Sequence, residues 1–580
     1  MTTHPVPTIT KDLDLLRADL MSANFTVDGV GEVLGGLANE ALHREQTLPA
    51  LRALAGNEEP TATLIKLFVL GQPVTYSAAA AAFGKLTVTG AQAMNLVAEV
   101  SRAETSPEIA STLEAAPTNE TARTQENVRS VEDELGTESR VSEPSSSQPA
   151  SSQLQDPREP MLKALIEIHP HGSTDSQGSV DWWLASDLSE LATGGALQSD
   201  HVLGAGGASL TLAQVTARTP VSRVLDLGTG SGIQALYAAR HAQEIVATDL
   251  SARALEFARF NAALNEITLD LREGSMLEPV AGERFDLVVS NPPFVITPRT
   301  EEGDVLPQYE YRDGGAAGDD IVHNLIVDLG GVLNPGGSAY LLGNWEIQHG
   351  QQWHTRISQW LDEAEAAHGP LDAWVIQREL LDPARYAETW IRDGGTTEDR
   401  DPQGYAATYS AWLDDFASRS VEAIGFGIVV LRKPAVSKTE AANHPQPMRR
   451  LEEATGTVAQ PLGPVIAASI AAHDWVSALT DQELAQQRLV VASDVTEERF
   501  YTPGAQDPNI IIIRQGHGFG RAIQAGTTLA GLVGACDGEL TVGQILGAIT
   551  MLFEVDLTEL ATELFPDIRG LVTDGLLVGQ

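Results

Sequence analysis

The stretch Val224-Leu225-Asp226-Leu227-Gly228-Thr229-Gly230-Ser231-Gly232-Ile233 decides the fold. Its first residues read as a buried strand that runs into a glycine-rich turn and opens a helical pattern, IQALYAARHA. Glycine admits left-handed backbone and lets a ligand approach without a Cβ in the way. Such a turn can serve a dinucleotide, a P-loop phosphate or an adenosyl group, and spacing separates them. The P-loop pattern GxxxxGK(S/T) is absent, and Gly228-x-Gly230-x-Gly232 is tighter than the GxGxxG of dinucleotide folds, where a pyrophosphate sits on the helix N-terminus. In EIVATDLS the next strand ends at Asp249, where an acceptor for ribose hydroxyls has to sit in such a sheet.

Around this stretch the segments SRVLDLG, EIVATDL, LDLREGS, FDLVVSNPP, SAYLLGNW, AWVIQREL and FGIVVLRK alternate with helical patterns such as ARALEFARFNAAL and VHNLIVDLGGVL. Near-continuous apolar strands separated by helices imply a parallel sheet covered on both faces. The class is α/β, a doubly wound sheet of seven strands over residues 201–434. A second motif, Asn291-Pro292-Pro293-Phe294, ends the fourth strand.

DLGTGSG with an acid at the end of the next strand resembles the cofactor loop of the class I S-adenosylmethionine-dependent methyltransferases, whose sheet is Rossmann-like. NPPF at the end of the fourth strand resembles the methyltransferase-small, release-factor-glutamine-methyltransferase branch, which acts on planar nitrogens. The resemblance implies S-adenosylmethionine as cofactor and no metal. It assigns Gly228, Gly230 and Gly232 to the close approach of the methionine moiety, with Thr229 in the same loop. Asp226 would stand near the ammonium group, and Asp249, followed by Leu250, would take the ribose hydroxyls. After the third strand, Glu273-Gly274-Ser275-Met276 departs from the family's usual Asp, which leaves Ser275 and the backbone of Met276 as candidates for the adenine contact.

The chemistry explains the second motif. A planar amide or exocyclic amino nitrogen has its lone pair delocalised and attacks a methyl sulfonium poorly unless it is turned towards tetrahedral geometry. The Asn291 side-chain oxygen and the Pro292 carbonyl can each accept one N–H, which is orientation plus electrostatic preorganisation. Phe294 would pack on the planar face. The acidic double-glycine run Tyr309–Asp319 is loosely similar to the segment after the NPP motif in the same branch, with a plain polar loop as the alternative. Asp200–Ser209 stands where that branch covers its cofactor, without the branch's proline-containing signature.

The rest of the chain divides by composition. Residues 1–103 read as a helical, winged-helix-like domain. Residues 104–158 hold ten serines and no Phe, Trp or Tyr, and are read as a disordered acidic insertion. If Leu96–Ser101 pairs with Leu162–Ile168, that insertion is an overgrown hairpin loop. Residues 159–200 supply connecting strands, 435–460 a linker, and 461–580 a small α+β, winged-helix-like domain. His169-Pro170-His171 reads as a loop after a strand, Asp181-Trp182-Trp183 as a core strand, and Arg514–Arg521 as a glycine-rich hairpin.

The 580 residues carry 37 Lys and Arg against 79 Asp and Glu, a net charge of −42, of which only −7 falls in 104–158. A surface this acidic repels phosphate backbones and anionic lipid, so non-specific nucleic-acid binding and membrane attachment are not expected. One cysteine, no leader pattern and no long apolar run place the chain in the cytoplasm. The expected substrate is a protein glutamine amide. The alternatives are an adenine or guanine base in ribosomal RNA, a small molecule, or a cofactor-binding adaptor without catalysis. Oligomeric state is not legible.

Overall fold

The computed structural model describes residues 5–44, 46–101, 159–175, 177–193, 197–298, 312, 317–435 and 447–580. The chain forms two compact units, and the strands Glu167–Asp175 and Gly178–Ser186 contribute residues to both. The insertion 104–158 and most of the run Tyr309–Asp319 lie outside the described residues.

The first unit is helical, with helices that include Leu13–Ser22, Val27–Leu42, Tyr76–Ala82 and Thr87–Ala93 around Leu16, Leu20, Phe25, Phe68 and Phe83. The strand Met161–Ala164 lies between Val74–Thr75 and Val97–Val100 and pairs antiparallel with both. Val97 faces Ala164, so the two strands expected to close the serine-rich insertion do pair. The His-Pro-His run differs from the sequence expectation. It lies inside the strand Glu167–Asp175, where His171 stacks on Trp182 at 6.2 Å and burial lowers its pKa.

The second unit is built on one sheet of strands β1 (Val221–Leu227), β2 (Ala242–Asp249), β3 (Asp270–Glu273), β4 (Phe285–Ser290), β5 (Leu333–Gln348), β6 (Asp372–Leu381), β7 (Val421–Arg432) and β8 (Arg449–Glu453). Their order is β3-β2-β1-β4-β5-β7-β6-β8. All neighbours run parallel except β7, which is antiparallel to β5 and β6. The helices are α1 (Gly207–Val215), α2 (Ile233–Ala238), α3 (Ala252–Leu264), α4 (Asp320–Asp328), α5 (His354–His368), α6 (Pro383–Asp393), α7 (Pro402–Ser418) and α8 (Gly463–Ser477). Leu225, Leu227 and Val288 point into one apolar layer with Trp345 and Trp360; Val224, Leu287 and Val289 point into the other with Trp374, Ile466 and Ile470. Burial on both faces is why the strands read as unbroken apolar runs. Strand order reverses between β1 and β4, the place where such sheets open a crevice at their carboxyl ends.

The eighth strand was not expected. Arg449-Arg450-Leu451-Glu452-Glu453 reads as linker because of its charge, yet it adds parallel to β6 and its charges are spent on neighbours. Glu452 accepts from Trp374 Nε1 at 2.7 Å and from both terminal nitrogens of Arg521 at 2.9 Å. Arg450 reaches Asp574 at 2.6 Å. Burial opposes ionisation of Glu452, but Arg521 and Arg450 outweigh it and hold the carboxyl below its ordinary pKa. The hairpin expected at Arg514–Arg521 is present and sets Phe519 5.5 Å from Trp374. The C-terminal part adds a three-stranded antiparallel sheet, Asp537–Thr541, Arg488–Val491 and Leu577–Gly579, with helices Thr527–Gly534, Val542–Phe553 and Leu557–Thr573. No helix among the described residues is long and apolar enough to cross a membrane.

Two glycines of β7 let its neighbours meet across it. A Cβ on Gly425 would stand 2.3 Å from Trp345 Nε1 and 2.4 Å from Gln377 Oε1, two buried groups that bond each other at 3.0 Å. Gly425→Ala therefore overpacks the sheet, and should cost about 1–3 kcal/mol. The expected readout is a lowered thermal midpoint; an unchanged midpoint would show that β7 can move aside.

Candidate active site

The glycine turn follows β1 and is tied to β2, because the amides of Gly228 and Thr229 both donate to the Thr248 carbonyl at 2.9 Å. Gly228, Gly230 and Gly232 have φ of 72°, 54° and 91°, left-handed values that favour glycine. Their surroundings differ. A Cβ at Gly228 or Gly230 would meet nothing within 4 Å, whereas one at Gly232 would stand 3.4 Å from Ala258 of α3. Gly228 and Gly230 thus leave open space beside the turn, while Gly232 permits close packing of the turn against α3.

Asp226 lies beneath the loop, 1% exposed. Its Oδ2 accepts from the Thr229 hydroxyl at 2.6 Å and from the Ala235 amide at 3.0 Å, so it staples the turn to the first turn of α2. Burial pushes its carboxyl up to about 7 against those two hydrogen bonds, with the nearby charge of Asp249 adding to the rise. Asp249 closes β2, accepting from the Gly230 amide at 2.8 Å and from the Ser251 amide at 2.9 Å. Leu250 beside it is 70% exposed, unusual for a leucine next to a crevice.

β1 and β4 are adjacent, with Leu227 opposite Ser290, and the Ser290 hydroxyl donates to the Leu227 carbonyl at 2.9 Å. Gly228 and Asn291 therefore leave the sheet side by side. Asn291 Oδ1 is buried and has no hydrogen-bond partner among the described residues. A buried acceptor without a partner costs about 1–3 kcal/mol, which marks a place where a donor is expected. Pro292 is buried; Phe294 is half-buried and meets Phe426 edge-on at 6.4 Å.

Ser275 and Met276 line a cavity of about 240 Å³ together with Leu277 and, from α4, Ile321, Asn324 and Leu325. Met276 holds a left-handed φ of 45°. The start of α4 is anchored by Asp319, which accepts from the Glu346 amide and from Arg356, each at 2.8 Å. Burial raises its carboxyl to about 6.

Sequence reasoning missed the residues that brace the crevice. Asn261 donates to the Ser231 carbonyl and exchanges two bonds with the backbone of Ala185, while Asn265 does the same for Trp183. Asn261 in the last turn of α3 is a poor helix former and Asn265 at its C-cap stands one turn further on, and that pair was the available signal. Asp187 accepts from the Val202 amide at 2.9 Å and pairs with Arg253, which holds the segment before α1 in place. Gln234 of α2 reaches the Ser209 carbonyl at 2.6 Å.

Comparison with known proteins agrees with this geometry. Residues 201–306 match the methyltransferase small domain, and residues 22–107 match a domain of unknown function (DUF7059). The release factor glutamine methyltransferase of Deinococcus radiodurans is 38% identical over 131 residues, 21% of this chain and 46% of that protein. The ribosomal protein uL3 glutamine methyltransferase of Bordetella pertussis is 34% identical over 173 residues, 28% of this chain and 56% of that one. The ribosomal RNA small subunit methyltransferase C of Alcanivorax borkumensis is 30% identical over 142 residues, 24% of this chain and 36% of its own length. The chain spans about half the length of the glutamine methyltransferases it matches. Both the glycine turn and Asn291 fall within residues 201–306, the segment that matches the methyltransferase small domain.

Proposed function

We propose that the protein is an S-adenosylmethionine-dependent N-methyltransferase whose substrate is the side-chain amide of a protein glutamine. The observation that carries the reading is the unpartnered, buried Asn291 Oδ1 standing next to the open glycine turn. S-adenosylmethionine, when bound, supplies an electrophilic methyl group on a sulfonium. The residues present fit it. Gly228 and Gly230 leave the turn open, Asp249 offers carboxylate oxygens to ribose hydroxyls, and Leu250 offers an exposed apolar face. The cavity at Ser275 and Met276 suits a flat ring.

Asn291 Oδ1 and the Pro292 carbonyl accept the two N–H groups of the acceptor nitrogen and turn its lone pair out of conjugation. Both acceptors are fixed before the substrate arrives, by burial and by the proline pair, so little reorganisation remains for the transition state. Phe294 packs on the planar amide. No base is needed before transfer, since the proton leaves from the cationic product. The matches to glutamine methyltransferases and the acidity of the chain favour a protein over RNA. The helical unit and the C-terminal part, read as winged-helix-like modules, serve to hold a protein partner, and the reaction belongs in the cytosol.

Four outcomes follow from this reading. In calorimetry, Asp249→Ala should weaken S-adenosylmethionine binding at least tenfold, consistent with losing a charge-assisted hydrogen bond. Asn291→Ala should leave that affinity intact and cut turnover by about 10²–10³; unchanged turnover would remove the mechanism. Asp226 should make cofactor affinity fall as pH is lowered. A cation bound near this carboxyl favours its ionised form, which predominates only above about 7, so affinity should weaken from pH 8 to pH 6, and Asp226→Asn should flatten that slope. Finally, label transferred from the cofactor to a cell lysate should be lost on protease treatment and survive ribonuclease. Loss to ribonuclease alone would replace the glutamine reading with a base in RNA.

A further inference from the structure

The sheet carries an insertion between β6 and β7, the helices α6 and α7, and its aromatic interior packs on the residues that follow the NPPF turn. Val295 and Ile296 are buried against Tyr386, Ile391, Phe416 and Ile424. Two ties run from the backbone of this segment towards α6. The Ile296 amide donates to the Tyr386 hydroxyl at 3.0 Å, and the Val295 amide donates to the Arg312 carbonyl, while the Arg312 side chain donates to the Trp390 carbonyl at 3.0 Å. The Tyr386 hydroxyl is held in turn by the amide of Asn344 on β5 at 2.6 Å, and both side chains are fully buried. Asn344 thus links the sheet, through Tyr386, to a backbone amide five residues after Asn291.

We infer that Tyr386 is a positioning residue for methyl transfer: its hydroxyl fixes the outgoing leg of the NPPF turn and thereby the direction of the Asn291 and Pro292 acceptors. The inference rests on the proposed N-methyltransferase reading and adds to it a residue outside the matched segment 201–306. The physical case is one of polar bookkeeping. Ile296 N–H lies in an apolar cluster, where an unbonded amide is expensive, so the Tyr386 hydroxyl selects one conformation of the leg. The aromatic ring cannot do this, because ring packing tolerates small shifts that a single hydrogen bond does not. Preorganisation of acceptors is sensitive to displacements of about 1 Å.

Tyr386→Phe keeps the ring and removes only the hydroxyl. In the full-length protein, hydrogen–deuterium exchange of the peptide spanning 291–298 should quicken at Ile296. The initial rate of labelled methyl transfer into the protein fraction of a lysate, at saturating cofactor, should fall at least tenfold, and S-adenosylmethionine affinity should stay within twofold. Trp412→Phe alters the same aromatic cluster at a side chain that bonds neither loop backbone. It should lower the thermal midpoint and leave the rate unchanged. An unaltered rate in Tyr386→Phe, or a fall that Trp412→Phe matches, would overturn the inference. If the wild-type protein binds cofactor and transfers no label, the proposed function fails on its own; exchange at Ile296 then decides the clamp, and unchanged protection in Tyr386→Phe overturns it.

Discussion

The pairing of β1 with β4 is the constraint on which the site depends. Leu227 lies opposite Ser290, and the bond from the Ser290 hydroxyl to the Leu227 carbonyl fixes that register where the two strands leave the sheet. A slip of one residue would turn Leu225, Leu227 and Val288 out of their apolar layer, so register is set by burial and needs little help from side-chain polarity. Because it is set, the glycine turn and Asn291 emerge as neighbours from segments about sixty positions apart in sequence. The crevice takes its geometry from this pair of strands.

Around that pair, the crevice is held by polar side chains bonded to backbone. Asp226 holds the turn from below, Asn261 and Asn265 hold the strand that includes Trp183 and Ala185, and Asp187 holds Val202. This is the arrangement expected where backbone must stay irregular and buried, since each loop amide or carbonyl has to find a partner inside the protein. Among the described residues of the crevice two buried groups are left without a partner, Asn291 Oδ1 and the Thr248 hydroxyl, and Asn291 stands where β4 leaves the sheet. The contrast between the well-bonded supports and the unbonded Asn291 Oδ1 beside the turn is what gives the site a direction.

The sheet and the turn were legible because their signals are local and strong: apolar strands, glycines that need positive φ, an acid closing the second strand. The pairing of Val97–Val100 with Met161–Ala164 was also legible across a serine-rich insertion, since both edges keep an apolar alternation. The strand Arg449–Glu453 was not. Four of its five residues are charged, and partners distant in sequence, Arg521, Asp574 and Glu365, join the Arg450–Glu452 pair within the strand to make that charge compatible with a sheet edge. Gly232 illustrates a finer limit. In sequence it is equivalent to Gly228 and Gly230, and only its distance to Ala258 separates a packing glycine from the two that face open space. Tyr386 lies beyond any motif, and nothing in α6 alone announces a bond to Ile296.

The acidity of the chain acquires a structural meaning from the same pairs. Arg253, Arg356, Arg419, Arg432, Arg450 and Arg521 each face carboxylates within the fold. These guanidiniums are partly buried, and withdrawing one to bind phosphate would leave its carboxylate unpaired within the fold. A nucleic-acid substrate would have to be held by the remaining cations against a net charge of −42, with affinity that falls steeply with salt. A protein with a basic surface meets no such opposition, and the excess carboxylates would speed its encounter without being part of the chemistry. Under the proposed function, charge therefore governs approach and favours a protein over RNA, while the orientation of a planar nitrogen by the site would serve either class.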